Sequence, residues 1–406
     1  MDDFADNEAF GGDVDADNIE ESAKSTTFKA WHRPRKHWVR SKQWWSAIND
    51  LRNEAAHKSA ESFNLLTLPG GELLDVRYFH SRLQGVDDDS SVRRLRLVGF
   101  VNNPEEFEKA QRNLPLLGIS DCESKEALIK RDDIDNLVHN NGVALKAVKD
   151  RGPFEIVNLD YCNSLAPPGN SSRVESIFQL LRYQIGYQTK PWLFMITTRT
   201  AKGAVCEDFF EKLMRVVEDN VSSYPEFLEE FFDNYPDAVG GIDGVGYNPY
   251  LKSVEDIGEC YSDFFVLGFL KWVTQYAVKH QTKVKLKSVV RYDVERDDSN
   301  YDMFSLVLRL EKVGLIGDDP ANVVQLPAHD GGIEPEWVFA SRFIRKVRET
   351  KVVEEIIFGD EGRYKAISND LADLLARCDK CIDTFWDQVC RPEIEVQGWD
   401  LDEIKA

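Results

Sequence analysis

Asp160 is the first residue to single out for chemistry. It stands in Asn158-Leu159-Asp160-Tyr161-Cys162-Asn163-Ser164, at the end of the apolar run Phe154 to Tyr161 (FEIVNLDY). A carboxylate at the end of a buried strand can orient a nucleophilic amine or hold an ammonium group, with the Asn158 amide and Tyr161 phenol beside it. The competing role is that of an aspartate fixing the following turn through its backbone N–H groups. Cys162 offers a thiol two residues on, but nucleophilic use needs a thiolate, and a buried structural thiol is the better reading. Cys378 and Cys381 form a C-x-x-C with Cys390 nearby. Zinc needs four ligands, no second pair or neighbouring histidine completes the set, and packing with Phe385 on one helix face accounts for the spacing; no metal site is expected. Thr197-Thr198-Arg199 offers two hydroxyls and a guanidinium to an anion, or serves as a loop anchor.

A second concentration of chemistry runs from Phe28 to Trp45 (FKAWHRPRKHWVRSKQWW). Arg33, Arg35, Lys36, Arg40 and Lys42 alternate with Trp31, Trp38, Trp44 and Trp45. Cations interleaved with indoles suit phosphate pairing and base stacking, so nucleic acid is the partner this segment suggests. The alternative is an entry helix that buries its tryptophans on a sheet and pairs its cations with this chain's own acids. Gly240 to Gly246 carries neither the Lys-Ser/Thr of a phosphate-binding loop nor a preceding strand, so it reads as a lid or specificity loop.

These residues must be positioned by regular elements. Apolar runs at Phe63 to Leu68, Arg96 to Val101, Leu116 to Asp121, Phe154 to Tyr161 and Trp192 to Thr198 predict five strands. Between them, helices are predicted at Glu72 to Leu83, Pro104 to Asn113, Ile134 to Lys149 and Arg173 to Tyr187, after an entry helix from Val39 to Lys58. Helices follow at Cys206 to Asn220, Pro225 to Asn234 and Glu259 to His280. Lys283 to Glu295 and Met303 to Lys312 then read as an antiparallel hairpin, with a helical module at Ile367 to Val389. Strands alternating with helices imply an α/β, doubly wound, mainly parallel Rossmann-like sheet, with a C-terminal antiparallel hairpin and an appended helical region. The organisation expected is an acidic disordered tail over 1–27, the basic aromatic segment over 28–60, the α/β domain over 61–315 and a helical extension over 316–406.

Composition sets the outer limits. The chain has 406 residues, 42% of them hydrophobic, with 50 Lys+Arg against 71 Asp+Glu and a net charge of −21. That charge argues against a whole-molecule polyanion binder and leaves room for a local basic patch. The most apolar run, Phe264 to Val273, is interrupted by Lys271, so no membrane span is expected. An acidic start without an apolar leader, and seven scattered cysteines, point to a cytoplasmic protein with reduced thiols.

Five alternating β/α units, a further helix and a terminal antiparallel hairpin resemble class I S-adenosylmethionine-dependent methyltransferases over about Trp38 to Val313. The resemblance rests on element order more than on motifs. It implies S-adenosylmethionine as cofactor, bound beyond the carboxyl ends of the strands. On that basis Pro69, Gly70 and Gly71 stand where the family has its glycine turn, without the usual acidic residue and G-x-G. Asn102 and Asn103 stand where a carboxylate normally accepts the ribose hydroxyls. Asp121 and Cys122 are similar to the adenine-contacting segment. Asn158, Asp160 and Tyr161 stand at the catalytic segment, which is similar to the D-x-D-P-[FY]-G-S-P-A-P type of some transfer-RNA guanine methyltransferases, including the downstream Ala166-Pro167-Pro168, without its central proline. The resemblance thus implies a methyltransferase-like protein acting on or near nucleic acid. The departures at Gly70-Gly71 and Asn102-Asn103 favour its alternative, a fold of this type that has lost the chemistry and serves as an interaction or sensing subunit, for example in bacterial defence, with a protein partner.

Overall fold

The computed structural model describes residues 25–85, 92–118, 126–241, 249–253, 257–294, 302–314 and 333–405. The chain enters through α1 (Pro34–Trp38), a π-helical stretch (Val39–Trp44) and α2 (Trp45–Asn53). The alternating body follows as β1 (Ser62–Thr67), α3 (Leu74–Leu83), β2 (Arg94–Phe100), α4 (Pro104–Asn113), β3 (Ala127–Lys130), α5 (Val143–Arg151), β4 (Ile156–Asp160), α6 (Ser171–Tyr187) and β5 (Trp192–Arg199). Next come α7 (Glu207–Ser223), α8 (Pro225–Asn234), a two-stranded ribbon of β6 (Val239–Gly240) and β7 (Tyr250–Leu251), α9 (Tyr261–Lys279), and the hairpin β8 (Thr282–Tyr292) and β9 (Met303–Lys312). The C-terminal region contains α10 (Glu336–Arg348), β10 (Lys351–Val352), α11 (Val353–Phe358), α12 (Glu361–Ala376), α13 (Ile382–Phe385), α14 (Arg391–Gln397) and α15 (Leu401–Lys405).

Among the described residues, eight strands form one sheet in the order β10-β8-β9-β5-β4-β1-β2-β3. The run from β3 to β5 is parallel, β9 is antiparallel to β5, and β8 is antiparallel to β9. The hairpin therefore joins the main sheet as expected, while β10 adds an edge strand beyond it. Winding reverses between β1 and β4, which is where doubly wound sheets bind ligands. The near-continuous apolar strands are explained by burial on both faces. One face carries α5 to α10; the other carries α1 to α4 and α11 to α15. Among the described residues, no helix is long and apolar enough to cross a membrane.

Two expected elements are corrected. The third strand is Ala127–Lys130, paired with β2, whereas Pro115–Leu117 is a 3-10 turn closed by Gly118 at φ +64°. Proline has no N–H for a ladder there, and Leu116 faces solvent. The helix expected over Ile134 to Lys149 is divided into a 3-10 turn (Ile134–Val138) and α5, because Asn140-Asn141-Gly142 makes a turn in which a Cβ on Gly142 would stand 3.0 Å from the His139 carbonyl oxygen. Cys378 and Cys381 also do not share a helix, since α12 ends before the first and the second precedes α13.

The basic entry segment is enclosed between the sheet and the C-terminal helices. Arg35, Lys36 and Arg40 are buried, with Arg35 bridging Glu354 of α11 at 3.1 Å and Glu393 of α14 at 2.9 Å. His37 meets Asp370 of α12 at 2.8 Å, and Arg40 meets Asp75 of α3 at 2.5 Å. Trp44 is fully buried and donates from Nε1 to Ser305 Oγ at 3.0 Å, whereas Trp45 is only half-buried.

Trp44→Ala should therefore lower unfolding free energy in urea by about 3–5 kcal/mol, and Trp45→Ala by distinctly less. A second expectation concerns Asp263 at the head of α9, whose pKa burial pushes up to about 6, against the Tyr235 hydroxyl and the Arg291 and Arg348 cations. The unfolded carboxyl loses its proton first as pH rises, so Asp263's contribution is full below about pH 4 and lost by about pH 6. Asp263→Asn should flatten that part of the stability–pH curve.

Candidate functional site at the switch point of the sheet

A cavity of about 320 Å³ opens at the carboxyl ends of β1, β2, β3 and β4. Pro69 and Gly70 follow β1, Asn102 and Asn103 follow β2, Asp132 and Asp133 follow β3, and Asp160, Tyr161 and Cys162 come from the end of β4. The head of α3 from Glu72 to Asp75 forms another wall, and Trp31 and Arg40 of the entry segment complete it.

Backbone and side chains divide the labour in the glycine turn. A Cβ on Gly70 would have no heavy atom within 4 Å, leaving backbone open to the cavity. A Cβ on Gly71 would lie 2.6 Å from Glu106 Oε2 and 2.9 Å from Lys109 Cβ. Gly71 instead donates its N–H to Glu106 Oε2 at 2.7 Å, so it serves the turn rather than the cavity lining. Glu72, next in sequence, is a buried hub. It lies 2.5 Å from Lys109, 3.2 Å from Lys380 and 3.4 Å from His32. Burial works against its charge, but the His32 and Lys109 contacts hold its carboxyl well below the usual range.

At the ends of β2 and β3, carboxylates are oriented by amides. Asn102 donates to Asp133 Oδ2 at 2.9 Å, and the Asp135 N–H donates to Asp133 Oδ1 at 2.9 Å. Asp132 Oδ1 accepts from Asn136 Nδ2 at 2.6 Å. Asn103 is spent capping α4, accepting from the Glu106 N–H at 3.0 Å. Among the described residues, the ion pairs leave Asp132, Asp133 and Glu106 without a cationic partner, so this side of the cavity carries net negative charge. Sequence reasoning overlooked Asp132 and Asp133; the cue was Arg131-Asp132-Asp133 directly after the short run Ala127 to Lys130. Asp121 and Cys122 lie outside the described residues, as do residues 242–248 of the glycine-rich loop.

At β4 the side chains diverge. Asp160 lies in the cavity wall, and its Oδ1 accepts from Lys36 Nζ and from Thr197 Oγ1, each at 2.5 Å. Asn158 is entirely buried beneath the cavity, beside Thr67, so it cannot touch a reacting group as expected. Tyr161 and Arg173 both contribute to the cavity lining, but the Tyr161 ring packs into the core on the α5–α10 face, with Arg173 4.7 Å from its ring centroid. Burial pushes the Tyr161 hydroxyl far up. Cys162 is exposed at the cavity rather than the buried structural thiol expected, and desolvation with the Asp160 charge pushes its thiol up, which works against a role as an activated nucleophile. Arg199 bonds Asp302 rather than facing the cavity as a free guanidinium. No group of His, Cys, Asp and Glu among the described residues is arranged to hold a metal.

The surface expected for nucleic acid is also corrected. Arg35, Lys36 and Arg40 are sequestered by Glu354 and Glu393, Asp160, and Asp75, because three cations inside a protein need partners. Of the five residues named, Lys42 is exposed and Arg33 half-buried.

The PP_RS20740-like family model matches residues 25–389. The chain belongs to that family. The matched span includes Trp31 and Arg40 as well as the strand ends, so all the cavity-lining residues fall within it. A search of curated proteins finds no match. Among solved structures, the chain is similar to an rRNA methylase from Streptococcus thermophilus, with 11% identity, a TM-score of 0.30, and coverage of 66% of this chain and 97% of the other. The O-MT portion of StiE shows 7% identity and a TM-score of 0.35 over 78% and 84% of the two chains. A possible exported protein from Bordetella parapertussis shows 12% identity and a TM-score of 0.28 over 66% and 68%. The fold assignment rests on this family member's own strand order, with β3-β2-β1-β4-β5 parallel and the hairpin beside β5.

The contrast between adjacent glycines is testable by thermal and urea unfolding. Gly71→Ala should cost about 1–3 kcal/mol by displacing Glu106 and Lys109, while Gly70→Ala should leave stability within about 0.5 kcal/mol of the parent.

Proposed function

We propose that this chain binds S-adenosylmethionine at the β1/β4 switch point and acts as a methyltransferase-type protein. The observation that carries the reading is the convergence of four consecutive parallel strand ends on one cavity, with open backbone at Gly70 and oriented carboxylates at Asp132 and Asp133. Gly70 would admit close approach of the methionine portion. Asp133, held by Asn102, would accept from the ribose hydroxyls, so the carboxylate missing after β2 is supplied from the neighbouring strand. Asp160 would accept from the ammonium group. The excess negative charge along this wall suits a ligand carrying sulfonium and ammonium charges. When bound, the cofactor supplies an electrophilic methyl group; the protein's part is alignment of an acceptor with it.

A second reading has its own support. Asp160 is committed to Lys36 and Thr197, and the Tyr161 hydroxyl and Cys162 thiol are both pushed up, so none of these groups is poised as a strong base or nucleophile. This favours either an acceptor bringing its own nucleophile or a subunit that binds the cofactor without transferring its methyl. A nucleic-acid acceptor recruited by the entry segment has little support from geometry, since Arg35, Lys36 and Arg40 face inward.

Calorimetric titration with S-adenosylmethionine and S-adenosylhomocysteine tests the reading. Micromolar binding is expected, and Asp133→Asn should weaken it about tenfold to a hundredfold, the worth of a hydrogen bond to a charged acceptor. Absence of binding by the intact protein would overturn the proposal.

A further inference from the structure

Lys36 comes from a part of the chain remote in sequence and does not line the cavity itself; it stands behind the wall, bonded to Asp160, and its surroundings are unusually complete. An ammonium has three donors. Lys36 Nζ lies 2.5 Å from Asp160 Oδ1 and 3.1 Å from the Tyr292 hydroxyl, and it stands 4.5 Å from the centroid of the Trp44 ring. Its side chain is 6% exposed. Burial opposes its charge, yet Asp160 keeps its pKa well above the ordinary lysine value. The cation is therefore fixed by β4, β8 and the π-helical stretch that follows its own helix at once.

The effect on Asp160 is directional. Lys36 and Thr197 both bind Oδ1, which anchors that oxygen toward the sheet, while among the described residues no hydrogen bond reaches Oδ2. Asp160 still contributes to the cavity wall. A carboxylate held through one oxygen cannot rotate freely, and its remaining oxygen can accept only from a donor.

We propose that Lys36 is a positioning residue: it locks Asp160 through Oδ1 so that Oδ2 receives the ammonium group of the amino-acid tail of the cofactor. This inference rests on the S-adenosylmethionine reading, and it gives the buried basic segment a role in ligand recognition distinct from holding the fold together.

The test compares two ligands that share a nucleoside and differ in the tail. S-adenosylhomocysteine has the amino-acid group, and 5′-methylthioadenosine lacks it. Lys36→Met alone leaves the half-buried Asp160 beside no cation and should lower the melting temperature. Lys36→Met combined with Asp160→Asn removes both charges and should recover most of that loss. In Lys36→Met, which keeps Asp160, and in the double variant alike, binding of S-adenosylhomocysteine measured below the melting temperature should fall more than tenfold, while binding of 5′-methylthioadenosine stays within about twofold of the parent. Equal loss for both ligands would mean that the pair only maintains structure, and unchanged affinity for both would mean that the ligand does not use Asp160; either result overturns the proposal. Failure of the parent protein to bind either ligand would instead bring down the cofactor reading, and this inference with it.

Discussion

The burial of a cation-rich segment inside a strongly acidic protein is the constraint on which the rest of the structure depends. Charges removed from water must be paired at close range, and leaving any one of them alone is costly. The segment meets this requirement by taking partners from several directions: Asp75 from α3, Asp160 from β4, Glu354 from α11, Asp370 from α12 and Glu393 from α14. The acidic excess of the chain thus has an internal use. The C-terminal helices are part of the same arrangement, since without them Arg35 and His37 would lose the carboxylates that make their burial tolerable.

The cavity inherits its character from this pairing. On its inner side the carboxylates are neutralised, Asp75 by Arg40, Asp160 by Lys36, and Glu72 by Lys109 and Lys380. Along the β2 and β3 ends they are held by neutral amides instead, so their charge remains available to a ligand. One wall is consequently rigid and compensated while the other is oriented and electronegative. Asn102 illustrates the difference between identity and position: an amide is a weaker acceptor than a carboxylate, but as a donor it can aim one.

Sequence reasoning and structure diverge at identifiable places. Pro69, Gly70, Asn102, Asn103, Asp160 and Tyr161 were legible as cavity residues because each follows or ends a recognisable apolar run, and parallel strands bring their carboxyl ends together. Gly71 and Asn158 belong to the same stretches, but one faces Glu106 and the other lies under the floor. A displacement of one residue along a turn, or of two along a strand, was enough to separate lining from support. Asp132 and Asp133 escaped because Ala127 to Lys130 is too short a run to stand out, while Leu116-Leu117 looked more strand-like and was stopped by Pro115 and Gly118.

What the sequence by itself determined is the alternation of elements, the doubly wound sheet, the hairpin and the strand ends to inspect, all of which follow from local periodicity and turn chemistry. Only the tertiary structure decided the meaning of the basic aromatic segment, because the same cations and indoles serve equally well for binding a polyanion or for packing against acids. Local composition specifies what a side chain can pair with, but not whether its partner is solvent, a phosphate or a carboxylate more than a hundred residues away. Asp160, 124 residues from Lys36, turned the first of these possibilities into the second: it made a candidate surface residue a buried support behind the cavity wall.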